Sequence, residues 1–143
     1  MPIVFEQLLD VPKNAVWEAL TNKEEMKQWY FDLEKFEAVP GFDFSFNGGP
    51  ENGPQYLHLC EVTRVVPFET LVYSWRYEGY AGISHVHFEL EERGNQTLLR
   101  LTHTGLESFP QENKDFAEAN FAAGWEEIIG NALPRYLNNR HTS

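Results

Sequence analysis

GWEEIIGNALPRYL, residues 124–137, has the apolar spacing of a helix together with three residues that oppose one, Gly124, Gly130 and Pro134. In a helix interior glycine costs roughly 1 kcal/mol and proline about 3 kcal/mol relative to alanine. A segment that keeps its helical period against that cost must be held by what it covers. The period runs from near Asn113 to Asn138, roughly 39 Å of continuous helix at about 1.5 Å per residue. Its apolar face reads Phe121, Trp125, Ile128, Ile129, Ala132 and Tyr136. Gly124, beside Trp125, is expected to let the helix backbone approach a sheet while the indole plugs one end of a cavity. Gly130 lies four residues before Pro134, so its carbonyl is the one the proline ring would strike, and a bend is expected there.

Upstream, the pattern supplies the sheet. IVFEQLLD (3–10) reads as a strand, and PKNAVWEAL (12–20) as a short helix with Pro12 in its first turn. TNKEEMKQWY (21–30) opens a second helix, with Thr21/Glu24 or Asn22/Glu25 at capping-box spacing. After Gly41 the period changes to two: FDFSF (42–46) alternates and NGGPENGP (47–54) is dense in turn residues. Strand-like runs follow at 55–66, 70–77, 84–92 and 97–104. One strand, two short helices, a run of antiparallel strands and a long terminal helix make an α+β fold, with the helix covering one face of a curved sheet.

The last hairpin can be registered from its turn. Gly94-Asn95 as a two-residue loop pairs Arg93 with Gln96. Val86, Phe88, Leu90, Leu99, Leu101 and His103 then share the inward face, and His85, His87, Glu89, Arg100, Thr102 and Thr104 the outer one. A one-residue slip would exchange the two sets. The register also sets Glu89 opposite Arg100 as a favourable pair. His85, His87 and Glu89 have the composition of a metal site, but the expected role is an exposed polar stripe, and neither a metal nor any other cofactor is expected. Leu71, Tyr73, Trp75 and Tyr77 are assigned inward, as are Tyr56, His58, Cys60 and Val62.

The composition narrows the function classes. The 143 residues are 42% hydrophobic and 23% charged, consistent with one soluble globular domain. A net charge of −11 repels phosphate backbones and anionic lipid, so neither a nucleic acid nor a membrane is an expected partner. No apolar stretch has the length of a signal peptide or a membrane span, so the expected location is cytoplasmic. Cys60 is the single cysteine. No nucleophile elbow, phosphate loop or dinucleotide fingerprint is present.

Four stretches carry a family likeness: VWEALTNKEEMKQWY (16–30), PFETLVYSW (67–75), LTHTGL (101–106) and GW (124–125). In this order and spacing the chain resembles the START-like (SRPBCC, helix-grip, Bet v-like) superfamily, in the branch of activators of the heat-shock protein 90 ATPase. The likeness covers nearly the whole of residues 1–143. It implies a curved antiparallel sheet of six or seven strands gripping the C-terminal helix, with a cavity between them. Such families include lipid and polyketide binders, aromatase/cyclases and self-resistance proteins. The eukaryotic activators carry a further N-terminal chaperone-binding domain that this sequence does not show.

The aromatic inward face, with sparse polar groups, points to binding of a small hydrophobic or aromatic molecule, lipid- or polyketide-like. The expected ligand-binding residues are His58, Tyr73, Trp75, Phe88, Leu101, His103, Phe121 and Trp125, and no catalytic residue is assigned. Two alternatives stand beside this. One is a cyclase- or aromatase-like enzyme using His103, with Tyr73 or His58 assisting. The other is a chaperone accessory protein working through an acidic surface formed by Glu89, Glu91, Glu92, Glu118, Glu126 and Glu127.

Overall fold

The computed structural model describes residues 2–49 and 53–142, the last three by backbone alone. Residues 50–52 of the turn-rich stretch 47–54 lie outside the described residues. Strand β1 (Ile3–Leu9) is followed by helices α1 (Lys13–Thr21) and α2 (Lys23–Trp29). Strands β2 (Asp43–Gly48), β3 (Tyr56–Val66), β4 (Thr70–Tyr77), β5 (Ser84–Arg93) and β6 (Gln96–Thr104) come next, and helices α3 (Glu118–Glu127) and α4 (Leu133–Thr142) end the chain. The strands form one six-stranded antiparallel sheet in the order β1-β6-β5-β4-β3-β2. This is the α+β helix-grip arrangement that the resemblance implies, with six strands.

The hairpin register is the one the turn dictates: Val86 pairs with His103, Phe88 with Leu101, Leu90 with Leu99 and Arg93 with Gln96. Gly94 takes φ 65°, the positive value that the first central position of such a loop needs. The inward set is buried, and so are Tyr56, His58, Cys60 and Val62 on β3. Glu89 does stand opposite Arg100, but the guanidinium turns to the other neighbouring strand. Arg100 donates Nε–H to Glu6 at 2.8 Å, with a second nitrogen 2.7 Å from the same oxygen. Glu6 is also the register partner of Arg100 in β1, a pairing invisible until the edge strand is placed. Of the two candidate caps for α2, Asn22 is the one used: its side chain accepts from the Glu24 N–H at 2.9 Å. Thr21 instead donates to the Trp17 carbonyl.

The C-terminal helix departs from the expected single rod over 113–138. Residues Lys114–Phe116 form a separate 3-10 turn, α3 starts at Glu118, and a π turn over Ile128–Ala132 separates α3 from α4. Within it the Leu133 N–H reaches the Ile128 carbonyl, five residues back. The expected disturbance at Gly130/Pro134 therefore takes the form of an extra residue in one turn. This rearranges the local ladder where the proline has no N–H to give. The buried stripe consequently reads Trp125, Ile129, Leu133 and Leu137, with Phe121, Ile128, Ala132 and Tyr136 half-buried.

The close approach expected of Gly124 belongs to Gly130, which also lies in the π turn. A Cβ on Gly130 would lie 3.2 Å from the Phe5 ring, so this is the glycine at close approach to the sheet. A Cβ on Gly124 would meet nothing within 4 Å. Gly124 therefore does not bring helix and sheet together; it faces open space.

Candidate functional site

That open space is a cavity of about 460 Å³ between α3 and the β3–β4 half of the sheet. Gly124, Phe121 and Trp125 line it from the helix; Tyr56, His58, Trp75 and Tyr77 line it from the strands. Phe31 and Gly48 wall one side, and Asp115 and Phe116 of the 3-10 turn wall another. Alternation along β3 and β4 is what aims the four strand residues inward. Gly48 lets two of these rings pack close, since a Cβ there would come within 3.1 Å of Phe31 and 3.2 Å of His58 and push them back.

Of the residues expected to bind a ligand, His58, Trp75, Phe121 and Trp125 line this cavity. Tyr73, Phe88, Leu101 and His103 are packed in the core beside it. Tyr73 shares a 2.6 Å hydroxyl–hydroxyl hydrogen bond with Tyr30 and packs edge-on against Phe44. His103 is fully buried behind Trp125. The Trp125 Nε1–H donates to His103 Nδ1 at 3.0 Å, so the imidazole proton sits on Nε2 and donates to Ser84 Oγ at 2.8 Å. Ser84 in turn donates to the Trp75 carbonyl. Burial lowers the His103 pKa to about 3, and both ring nitrogens are engaged. It is a neutral post that fixes the Trp125 indole.

The polar groups of the cavity are few. His58 Nδ1–H donates to the Tyr56 carbonyl at 3.0 Å, which leaves the lone pair on Nε2. Burial, opposed by backbone hydrogen bonds, lowers its pKa to about 4, so the ring is neutral at pH 7. It is stacked on Phe46 at 4.4 Å. Tyr77 accepts from Trp75 Nε1–H at 2.8 Å, leaving its own proton without an acceptor among the described residues. Burial raises the Tyr77 pKa well above the ordinary phenol value, so the hydroxyl stays a donor. At the rim, Tyr56 donates to Asp115 at 2.5 Å, and this hydrogen bond raises the tyrosine's pKa.

Sequence reasoning missed Tyr56, Tyr77, Phe31, Asp115, Phe116 and Gly124 as cavity residues. Tyr56 and Tyr77 were available to it, since both fall on the inward faces already assigned at strand ends. Asp115 and Phe116 fall where the helical period was expected to begin but form a separate 3-10 turn, and only the fold brings them to the strands. The outer-face residues His85 and His87 are half-buried and Glu89 is exposed. No group of three metal-binding side chains occurs among the described residues.

A family model described as "Activator of Hsp90 ATPase homolog 1-like protein" matches residues 10–138. Among solved structures, protein MLL2253 of Mesorhizobium loti is 25% identical, aligning over 97% of this chain and 98% of that one with a TM-score of 0.77. CalU16 of Micromonospora echinospora is also 25% identical, over 99% of this chain and 78% of that one, at a TM-score of 0.73. DynU16, a putative protein of the dynemicin biosynthetic locus, is 24% identical over 96% of this chain and 47% of its own, at 0.76. A search of the curated proteins finds no significant match.

Proposed function

The chain belongs to the Activator of Hsp90 ATPase homolog 1-like family, and from that premise we propose that it is a single-domain binding protein for a small hydrophobic or aromatic molecule. The observation that carries this reading is the cavity of about 460 Å³ walled by Phe31, Tyr56, Trp75, Tyr77, Phe121 and Trp125. Apolar walls with one free hydroxyl donor and one imidazole lone pair are the usual construction of a small-molecule site. The rings give contact area, and Tyr77 and His58 give orientation to a carbonyl or hydroxyl on the ligand.

The arrangement gives less support to an enzyme built on His103. Its nitrogens are occupied and Trp125 stands between it and the cavity. The buried Cys60 thiol has its pKa raised by burial, which opposes thiolate formation. For a chaperone partner the support is the family and the exposed acidic residues Glu89, Glu91, Glu92, Glu118, Glu126 and Glu127, with no particular contact to favour it.

Trp75 and Trp125 lie 5.7 Å apart with their rings on the cavity wall, so a bound ligand must change their emission. Titration with hydrophobic dyes or planar polyketide-like aromatics is expected to quench tryptophan fluorescence saturably. Absence of any binding below millimolar concentration would remove this reading.

A further inference from the structure

We propose that the cavity selects hydrophobic amines, with the apolar body held among the rings and a protonated nitrogen at the Asp115 rim. This rests on the binding reading above and adds a charge preference to it. Among the described residues that line the cavity, Asp115 carries the formal charge, and no lysine or arginine joins it. The carboxylate makes no ion pair among the described residues. It is nevertheless held in place. Its Oδ2 accepts from Tyr56, its backbone N–H is bound by the Asn113 side chain at 2.9 Å, and Asn113 also reaches the Tyr56 hydroxyl at 3.5 Å.

The rings beside this carboxylate are packed closely. Phe116 lies 5.2 Å from Tyr56, 4.7 Å from Tyr77 and 5.0 Å from Tyr80. This packing holds the turn that carries Asp115 against the strands. A fixed carboxylate on the wall of an otherwise apolar cavity, with no basic side chain beside it, therefore favours an ammonium group on an apolar body. It disfavours the carboxylate of a fatty acid, which would meet like charge and no basic partner. The chain's net charge of −11 acts in the same sense at long range.

Calorimetric titration of the intact protein with three matched probes tests this: 1-naphthylmethylammonium, 1-naphthylmethanol and 1-naphthoate. The ammonium is expected to bind about tenfold more tightly than the alcohol, and the carboxylate more weakly than either. Asp115→Asn, which keeps an oxygen for Tyr56, is expected to bring the ammonium-to-alcohol ratio down towards one. Alcohol binding that equals or exceeds ammonium binding would overturn the charge preference while leaving a binding cavity in place. Failure of all three probes would overturn both.

Discussion

At the scale of single residues, Gly124 is the position whose chemistry is hardest to explain by packing. It has no positive φ, its Cβ site is empty to 4 Å, and it lies in a helix interior where glycine is unfavourable. The missing side chain is space in the cavity. Gly124→Ala is expected to stabilise the fold by up to about 1 kcal/mol, while weakening binding of the bulkiest ligands. Urea denaturation checks the first half; a destabilised variant would show that the glycine serves the backbone after all. Gly130→Ala is the contrast, because its methyl would press on Phe5, so its gain is expected to be smaller or reversed.

Among the elements, the broken terminal helix explains its own sequence. Trp125, Ile129, Leu133 and Leu137 are spaced by four, and a straight α-helix would carry such a stripe about 120° around its axis over three steps. The π turn over Ile128–Ala132 adds a residue to one turn and returns most of that drift. All four side chains are then buried. An unbroken period instead selects Ala132 and Tyr136, which are half-buried. The Tyr136 hydroxyl donates to Glu25 at 2.9 Å and ties the helix to α2. Leu133→Ala is expected to cost about 2–5 kcal/mol, because Leu133 is completely buried. Chemical denaturation measures this. A loss under about 1 kcal/mol would mean that the α phase continues through residue 133.

For the molecule as a whole, the two buried neutral histidines make stability depend on pH. His58 and His103 have folded pKa values lowered to about 4 and about 3, against about 6.5 in an unfolded chain. Below about pH 6.5 the unfolded state takes up protons that the folded state refuses, so stability falls as pH falls. Each histidine contributes a slope of about 1.4 kcal/mol per pH unit until its folded pKa is reached. Urea midpoints between pH 7 and pH 4 are expected to show this slope, and His103→Gln to reduce it. A variant with the wild-type slope would contradict the buried neutral assignment.

Sequence alone determined a good deal here. Period-two alternation, with the Gly94-Asn95 turn, gave strand positions and the β5–β6 faces, because a half-buried strand admits one register. The inward placement of His58 and Trp75 followed from the same alternation, and that of Trp125 from the helical period. What only the tertiary structure decided depends on contacts between segments far apart in the chain. Arg100 chose Glu6 over Glu89 once β1 was in place. Tyr73 was drawn into the core by Tyr30, forty-three positions away. His103 was closed off by Trp125, and Asp115 was brought to Tyr56 in a 3-10 turn where the sequence pattern had placed the start of the helix. Periodicity reports which face a side chain takes; whether that face meets another side chain or a cavity depends on how the helix is phased over the sheet, and the π turn sets that phase.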